Sequence, residues 1–455
     1  MRPDLYKAAH SRRSVLLANP GKQHSFEAAL ALQEAGLLCR QMTGVYYKPQ
    51  GPLARAMRIL PGGARAALER EFLRRFQPGL APENVCTHPA LELLFVASNR
   101  IRPLQRFSDA LLRSRNYRFD RWVAGQLERH SAAAVVCYDT CARQTFKRAK
   151  ALGMLCVLDQ SIAHVSAGMK ISSEERERYP KFADSWEARG ANGLAEECSE
   201  EPLLADHVLA ASDYVRQSLI NIGVEPARIA LMPYGVDIER FQPGERRNEK
   251  VFRVLFVGQL SQRKGIRYLL EAFKQLRLPG SELLLVGGVV GSSKGLREYR
   301  EVFTHVSGVP QHEVQSYFQR ADIFVYPSLH EGSALATYEA LASGLPVIAT
   351  PNCGSVVRDG IEGFIVPIRD VEALKEKILL LYQDRQLREE MGRRARQRAE
   401  EFTWSAYQRR VAKLFHALLG GTHSVPECAH AWTPGASPSS RSVTSPAEKE
   451  HHVDC

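Results

Sequence analysis

The sequence predicts an α/β protein built from two doubly wound, Rossmann-like domains that face a central cleft, and three observations lead there. Strand, polar loop and helix follow one another repeatedly, as in residues 14–36 and again in residues 321–350. A charged, turn-rich stretch at 237–250, DIERFQPGERRNEK, separates the repeats into two groups and reads as a linker. With 455 residues the chain is long enough for two domains with sizeable cores and a tail.

Residues 321–350, ADIFVYPSLHEGSALATYEALASGLPVIAT, are the most informative. A short β-rich run at 323–326 ends in a loop at 327–332, a helix fills 334–342 with Ser333 as its N-cap, and Gly344 follows as a left-handed C-cap residue. The strand at 347–349 completes one βαβ crossover of a parallel sheet. The N–H groups of Gly332, Ser333, Ala334 and Leu335 then point out of the helix start, where an anion such as a diphosphate would be held. Glu331 precedes the helix and Glu339 follows eight residues later; at about 1.5 Å per residue they stand roughly 12 Å apart, comparable to the span from a ribose across a diphosphate to a sugar. The spacing alone decides little, because a glutamate at a helix start commonly just complements the dipole.

As a whole, PSLHEGSALATYEALASGLPVIAT resembles the EX7E segment of the retaining nucleotide-sugar glycosyltransferases of family 4 (group 1), which have the GT-B fold. The two glutamates, the glycine after the first and the ALASGLPVIAT continuation carry the likeness, which is dense over about 207–418 and thinner before. The resemblance implies a nucleotide-sugar donor held mainly by the second domain and a glycan or lipid-linked acceptor held by the first. It gives Glu331 the sugar and Glu339 the ribose. No metal or other cofactor is expected.

In order along the chain, residues 14–18 form a first strand and a helix closes at Gly36; in GT-B enzymes the intervening loop lines the acceptor side, which points to Gly21, Lys22 and His24. Strands at 132–138 and 154–158 follow, and the loop after the latter offers His164 as the histidine that contacts the donor sugar in similar enzymes. The second domain opens with a strand at 252–257 and the loop Gly258-Gln259-Leu260-Ser261-Gln262-Arg263-Lys264-Gly265. Arg263 and Lys264 can clamp a diphosphate, one as a planar fork and one as a point charge. Many family members carry arginine where this chain has Gln259, so the usual pair of cations is complete only if Arg263 substitutes. Gly258 and the backbone of Val309 match places that contact the nucleotide. The expected domains are thus 1–236, linker 237–250, donor domain 251–401, a crossover helix 402–419 returning to the first domain, and a disordered tail 420–455.

Charge is lopsided. Residues 1–150 carry 25 Lys/Arg against 11 Asp/Glu, the remainder 36 against 39. An anionic partner for the first half follows. Basic segments at 53–76 alternate arginines with Leu53, Met57, Leu60, Ala67, Phe72 and Phe76 at near-helical spacing, the pattern of amphipathic helices that lie on an anionic membrane surface. No RNA-binding or helix-turn-helix signature accompanies the charge, so nucleic acid is not expected. No apolar run approaches 18 residues and the N-terminus does not read as a cleavable signal peptide. Nine cysteines, an odd number, show no metal-ligand spacing, and most read as small core residues of a reducing cytosol; a cytoplasmic protein whose basic helices rest on the inner face of the membrane is the expectation. Two rivals stay open: a sugar epimerase or phosphorylase on the same architecture, and a non-catalytic member that binds a membrane or polyanion.

Overall fold

The computed structural model describes residues 13–59, 61–100, 107–186, 195–245 and 251–420. Most of the expected tail and the end of the linker, 246–250, lie outside these residues.

The first half holds seven strands: β1 (Val15–Ala18), β2 (Leu38–Thr43), β3 (Val85–Thr87), β4 (Ala134–Tyr138), β5 (Leu155–Gln160), β6 (His207–Ala210) and β7 (Ile229–Leu231). They form one parallel sheet in the order β3-β2-β1-β4-β5-β6-β7. The second half holds β8 (Phe252–Val257), β9 (Ser281–Val286), β10 (Thr304–Val306), β11 (Ile323–Tyr326), β12 (Val347–Ala349) and β13 (Gly363–Ile365), also parallel, in the order β10-β9-β8-β11-β12-β13. Helices cover both faces of such sheets, so the central strands are continuously apolar; every residue of β1, β4, β11 and β12 is buried.

Six helices position the site: α1 (Ser25–Glu34), α2 (Arg143–Ala151), α3 (Val165–Arg178), α4 (Ile266–Leu276), α5 (Leu335–Ala342) and α6 (Trp404–Leu419). Amphipathic α4 buries Ile266, Tyr268, Leu269, Leu270 and Phe273 against its sheet. Gly344, at φ +70°, ends α5 with N–H bonds from Gly344 to Leu341 O and from Leu345 to Ala340 O, the left-handed stop expected from sequence. The C-terminal helix α6 packs on α1, and Gln408 Nε2 donates to Glu27 Oε2 at 2.7 Å. Val236 pairs with Thr403 where the chain crosses back.

In each sheet the strand order reverses at the first strand of the half, between β1 and β4 and between β8 and β11. The loops leaving the carboxyl ends of these strands therefore border a crevice. Those loops carry most of the candidate residues.

The basic segments form helices over Pro52–Met57 and Gly62–Leu73, and Met57, Phe72 and Phe76 of their apolar stripe turn inward. Met57 is buried with Tyr47 and Ala54, and Phe72 and Phe76 pack against them. The exposed apolar side chains here are Ile59, Leu68 and Leu73. Leu60 and the side chains of Leu53 and Ala67 lie outside the described residues.

Candidate active site

On the second half, the loop after β8 turns as a short 3-10 segment, Gln262–Lys264, ended by Gly265 at φ +70°. A β-carbon there would run into the carbonyl of Pro327, so glycine is what lets this loop lie against the loop after β11. The close approach aims two cations at one point. Arg263 Nη1 donates to Glu331 Oε2 at 3.0 Å and to His330 O at 2.9 Å, and Lys264 Nζ is ion-paired with the same carboxylate. Lys264 also lies over the ring of Tyr326, 5.3 Å from its centre. Both cations are 8 % exposed, so their charges are poorly screened and are matched at present by Glu331.

The helix start differs from the sequence expectation in two ways. Ala334, not Ser333, is the N-cap of α5, and no side chain caps it. Ser333 Oγ instead bonds Tyr338 OH at 2.8 Å and Gly354 O at 3.0 Å, because a serine folded back under the helix finds those partners first. The N–H of Ala334 is spent on Cys353 O at 3.0 Å, which removes it from the anion-binding set. The N–H groups of Gly332, Ser333 and Leu335 have no protein acceptor among the described residues.

On the first half, β5 runs on through Asp159 and Gln160, and its exit loop leads into α3 with His164 as N-cap. Nδ1 of His164 accepts from Ser166 N–H at 3.4 Å and meets Ser166 Oγ at 2.8 Å. Nε2 therefore carries the ring proton, and it has no partner among the described residues. Burial lowers the pKa of this imidazole, which keeps it neutral. His24 faces the same crevice: Nε2 meets Asp159 Oδ2 at 2.9 Å and the ring packs on Tyr234 with centres 4.2 Å apart. Gly21 borders the crevice too, whereas Lys22 turns away, donating to Phe76 O at 3.1 Å. Lys22 thus corrects the acceptor-loop expectation; its ammonium lies 5.8 Å from the centre of the Phe26 ring and burial lowers its pKa.

The two halves enclose a cleft of about 960 Å3. Gly21, His24, His164, Arg263, Lys264 and Glu331 all line it, together with Ser333, Ala334 and Leu335 of the helix start. Gly258, Val309 and Glu339 are not among its walls. Gly258 ends β8 with its N–H on Val286 O, Val309 is half-buried after Gly308, and Glu339 lies on α5 beyond the helix start. Burial pushes the Glu339 carboxyl up to about 7 against the opposing charge of Arg240, and its carboxylate has no hydrogen-bond partner among the described residues.

Two cleft residues escaped the sequence reading. His330 sits directly before Glu331, with Nδ1 3.0 Å from Tyr214 OH of the first half; burial, then Arg263 and Lys264, push its pKa down to about 3, so it is neutral. Asp139, at the end of β4, bonds the N–H and Oγ of Ser161, and burial raises its carboxyl to about 6. Only the position of each at a strand's carboxyl end hinted at a role.

Comparison with known proteins bears on this geometry. Residues 237–398 match the family model described as glycosyl transferases group 1. A D-inositol 3-phosphate glycosyltransferase of Paenarthrobacter aurescens is 30% identical over 266 residues, covering 53% of this chain and 62% of that relative. The chain therefore spans less than two thirds of the length of this curated relative. Sucrose-phosphate synthase from Thermosynechococcus elongatus superposes with a TM-score of 0.57 at 20% identity, covering 90% of this chain and 99% of that one. Anabaena HepE in complex with UDP-glucose gives a TM-score of 0.54 at 16% identity, over 88% of this chain and 98% of that one. Both sheets and their order thus belong to the GT-B architecture, and residues 237–398, which carry Arg263, Lys264, Glu331 and Glu339, match the group 1 glycosyltransferases.

Proposed function

We propose that the protein transfers a sugar from a nucleotide-sugar donor to a glycan or lipid-linked acceptor, with retention of anomeric configuration. One observation carries the reading: Arg263 and Lys264 converge on Glu331 at the crevice, and His164, whose Nε2–H is unpartnered, lines the same cleft. A donor diphosphate would take the two cations from Glu331 and lie before the N–H groups of Gly332, Ser333 and Leu335. The released Glu331 carboxylate would accept from sugar hydroxyls, His164 would donate to the sugar, and Glu339 would accept from the ribose. The base would meet backbone near Val309, and Gly258 would let the nucleotide approach closely.

In the transfer step, the bond between the anomeric carbon and the donor phosphate oxygen breaks. The acceptor oxygen bonds to that carbon on the same face, and its proton passes to the departing phosphate oxygen. Charge grows on the leaving diphosphate, so fixed cations and helix-start N–H groups would supply most of the rate enhancement, in the role a metal ion otherwise fills. Gly21 and His24 border the acceptor side.

The fit of UDP-glucose to HepE supports a nucleotide-sugar donor for a chain of this architecture. Exposed Ile59, Leu68 and Leu73 beside Arg55, Arg58 and Arg74 support docking on an anionic membrane surface on the cytoplasmic side, which suits a lipid-linked acceptor in envelope or extracellular polysaccharide assembly. The deciding experiment is thermal stabilisation by UDP-, GDP-, ADP- and TDP-sugars of the wild type, Glu339→Ala and Lys264→Ala. A donor at 100 times its dissociation constant adds about 2.7 kcal/mol to the wild type and little to the variants. If no donor stabilises the wild type, a binding role replaces the enzymatic one.

A further inference from the structure

The most heavily bonded carboxylate between the two halves belongs to neither set of candidate site residues. Glu175 lies in the last turn of α3, is 2 % exposed, and projects from the first half into the second. Its Oε2 accepts from Gln262 Nε2 at 2.5 Å, and both oxygens lie within 3.0 Å of Tyr268 OH. Oε1 also accepts from Arg369 Nε at 2.7 Å, while Arg369 Nη1 pairs with the neighbouring Glu174 at 2.7 Å. Arg369 holds φ +69°, a conformation a non-glycine residue keeps only when its surroundings fix it.

The donors identify what Glu175 holds. Gln262 immediately precedes Arg263 and Lys264, and its own N–H donates to Ser185 Oγ of the first half at 3.1 Å. Tyr268 lies in the first turn of α4, directly after that loop. Both ends of the cation-bearing segment are therefore tied to one carboxylate of the opposite half. At its other end α3 begins at His164, eleven residues earlier, so a rigid helix of roughly 16 Å connects the candidate sugar-contacting histidine to the anchor of the candidate diphosphate clamp.

We infer that Glu175 is a positioning residue: through α3 it fixes the distance between His164 and the Arg263–Lys264 pair, so that the clamp is in place only when the halves are closed. The inference rests on the proposed donor site. Glu175 touches no reacting atom. A carboxylate suits the task because it gathers donors from three points of the second half, two of them buried, at once, so that opening exchanges all of these bonds for water together. Replacing it by glutamine leaves one acceptor oxygen where there were two and puts an NH2 group among Gln262 Nε2, Tyr268 OH and Arg369 Nε, so donor now faces donor.

The test compares full-length wild type with Glu175→Gln and, from the other half, Arg369→Gln, whose side chain is partly exposed and whose loss leaves the α3 core intact. Amide hydrogen exchange of residues 261–269 reports the anchor without any assumption about activity. Each variant is expected to speed exchange there by roughly tenfold or more, with the sheet strands unchanged, and the double variant to add little to either single one. In transfer assays kcat falls at least as much, while the affinity for UDP, measured by calorimetry, falls less than in Lys264→Ala because both cations are kept. Unchanged exchange in folded variants overturns the inference, as does a parallel loss of exchange protection across both halves. If the wild type transfers no sugar, the donor reading fails while the exchange comparison still decides whether Glu175 anchors the loop.

Discussion

Gly332 meets the carbonyl of Ser161 so closely that a β-carbon on it would overlap that oxygen and crowd Ile162 Cα at 2.9 Å. The first residue of the candidate anion site is thus also one of the points where the two halves touch. The neighbouring bonds from Ala163 N–H to Glu331 O, at 3.3 Å, and from Ser212 Oγ to Gly332 O, at 2.5 Å, need the same approach. Gly332→Ala is expected to push the halves apart at a cost of about 1–3 kcal/mol, seen as a lower melting temperature, with donor affinity falling alongside. A variant that melts and binds like the wild type would show that the loop yields without cost.

The two cations can be separated by their geometry. Arg263 is held by His330 O as well as Glu331, whereas Lys264 relies on Glu331 and the ring of Tyr326. Lys264→Ala should weaken binding of a nucleoside diphosphate by about 1.5–3 kcal/mol, and Arg263→Lys by a similar amount, because lysine cannot make both bonds at once. Titration calorimetry with UDP measures this. Equal affinity in both variants would remove them from the clamp and return the question to Gln259.

Binding of the donor should depend on pH through Glu339. Its carboxyl titrates near 7 in the folded protein, and ribose hydroxyls donate only to an ionised carboxylate as a full acceptor. Affinity for the donor therefore rises with pH, by roughly tenfold between pH 6 and pH 8. Glu339→Gln should flatten the profile. A profile that stays steep in this variant would assign the titration elsewhere, with Asp139, at about 6, next to examine.

Stability should fall with pH through Glu201. This carboxylate accepts from Thr140 N–H and Ala142 N–H, each at 2.7 Å, and so holds Thr140 at φ +78°; burial raises it to about 8. The folded value lies above the ordinary 4.5, so the folded state keeps its proton longer than the unfolded one, and the resulting stabilisation is full at low pH and lost as pH rises through 8. Glu201→Ala unpairs two amides and costs about 2–4 kcal/mol at pH 6, with a shallower decline toward pH 9. Urea unfolding at the two pH values gives both numbers.

Sequence alone determined the repeated strand–loop–helix units, the parallel sheets and the two-half architecture, because continuous apolar runs, caps and glycine stops are local signals. It also pointed to Arg263, Lys264, Glu331 and His164, since each lies in the stretch that follows a strand at the crevice edge. It misjudged Lys22 and the cap role of Ser333, where the outcome turns on which distant partner a side chain reaches, Phe76 O and Gly354 O respectively, and the inward turn of Met57, Phe72 and Phe76 toward Tyr47 was likewise decided by distant packing. Convergence of two adjacent cations on one carboxylate, the neutral states of His164 and His330, and the hold of Glu175 on residues 262, 268 and 369 were set only by tertiary structure. The reason is physical: burial and opposing charge come from chain segments far apart in sequence, and they act only once the two halves have closed on each other.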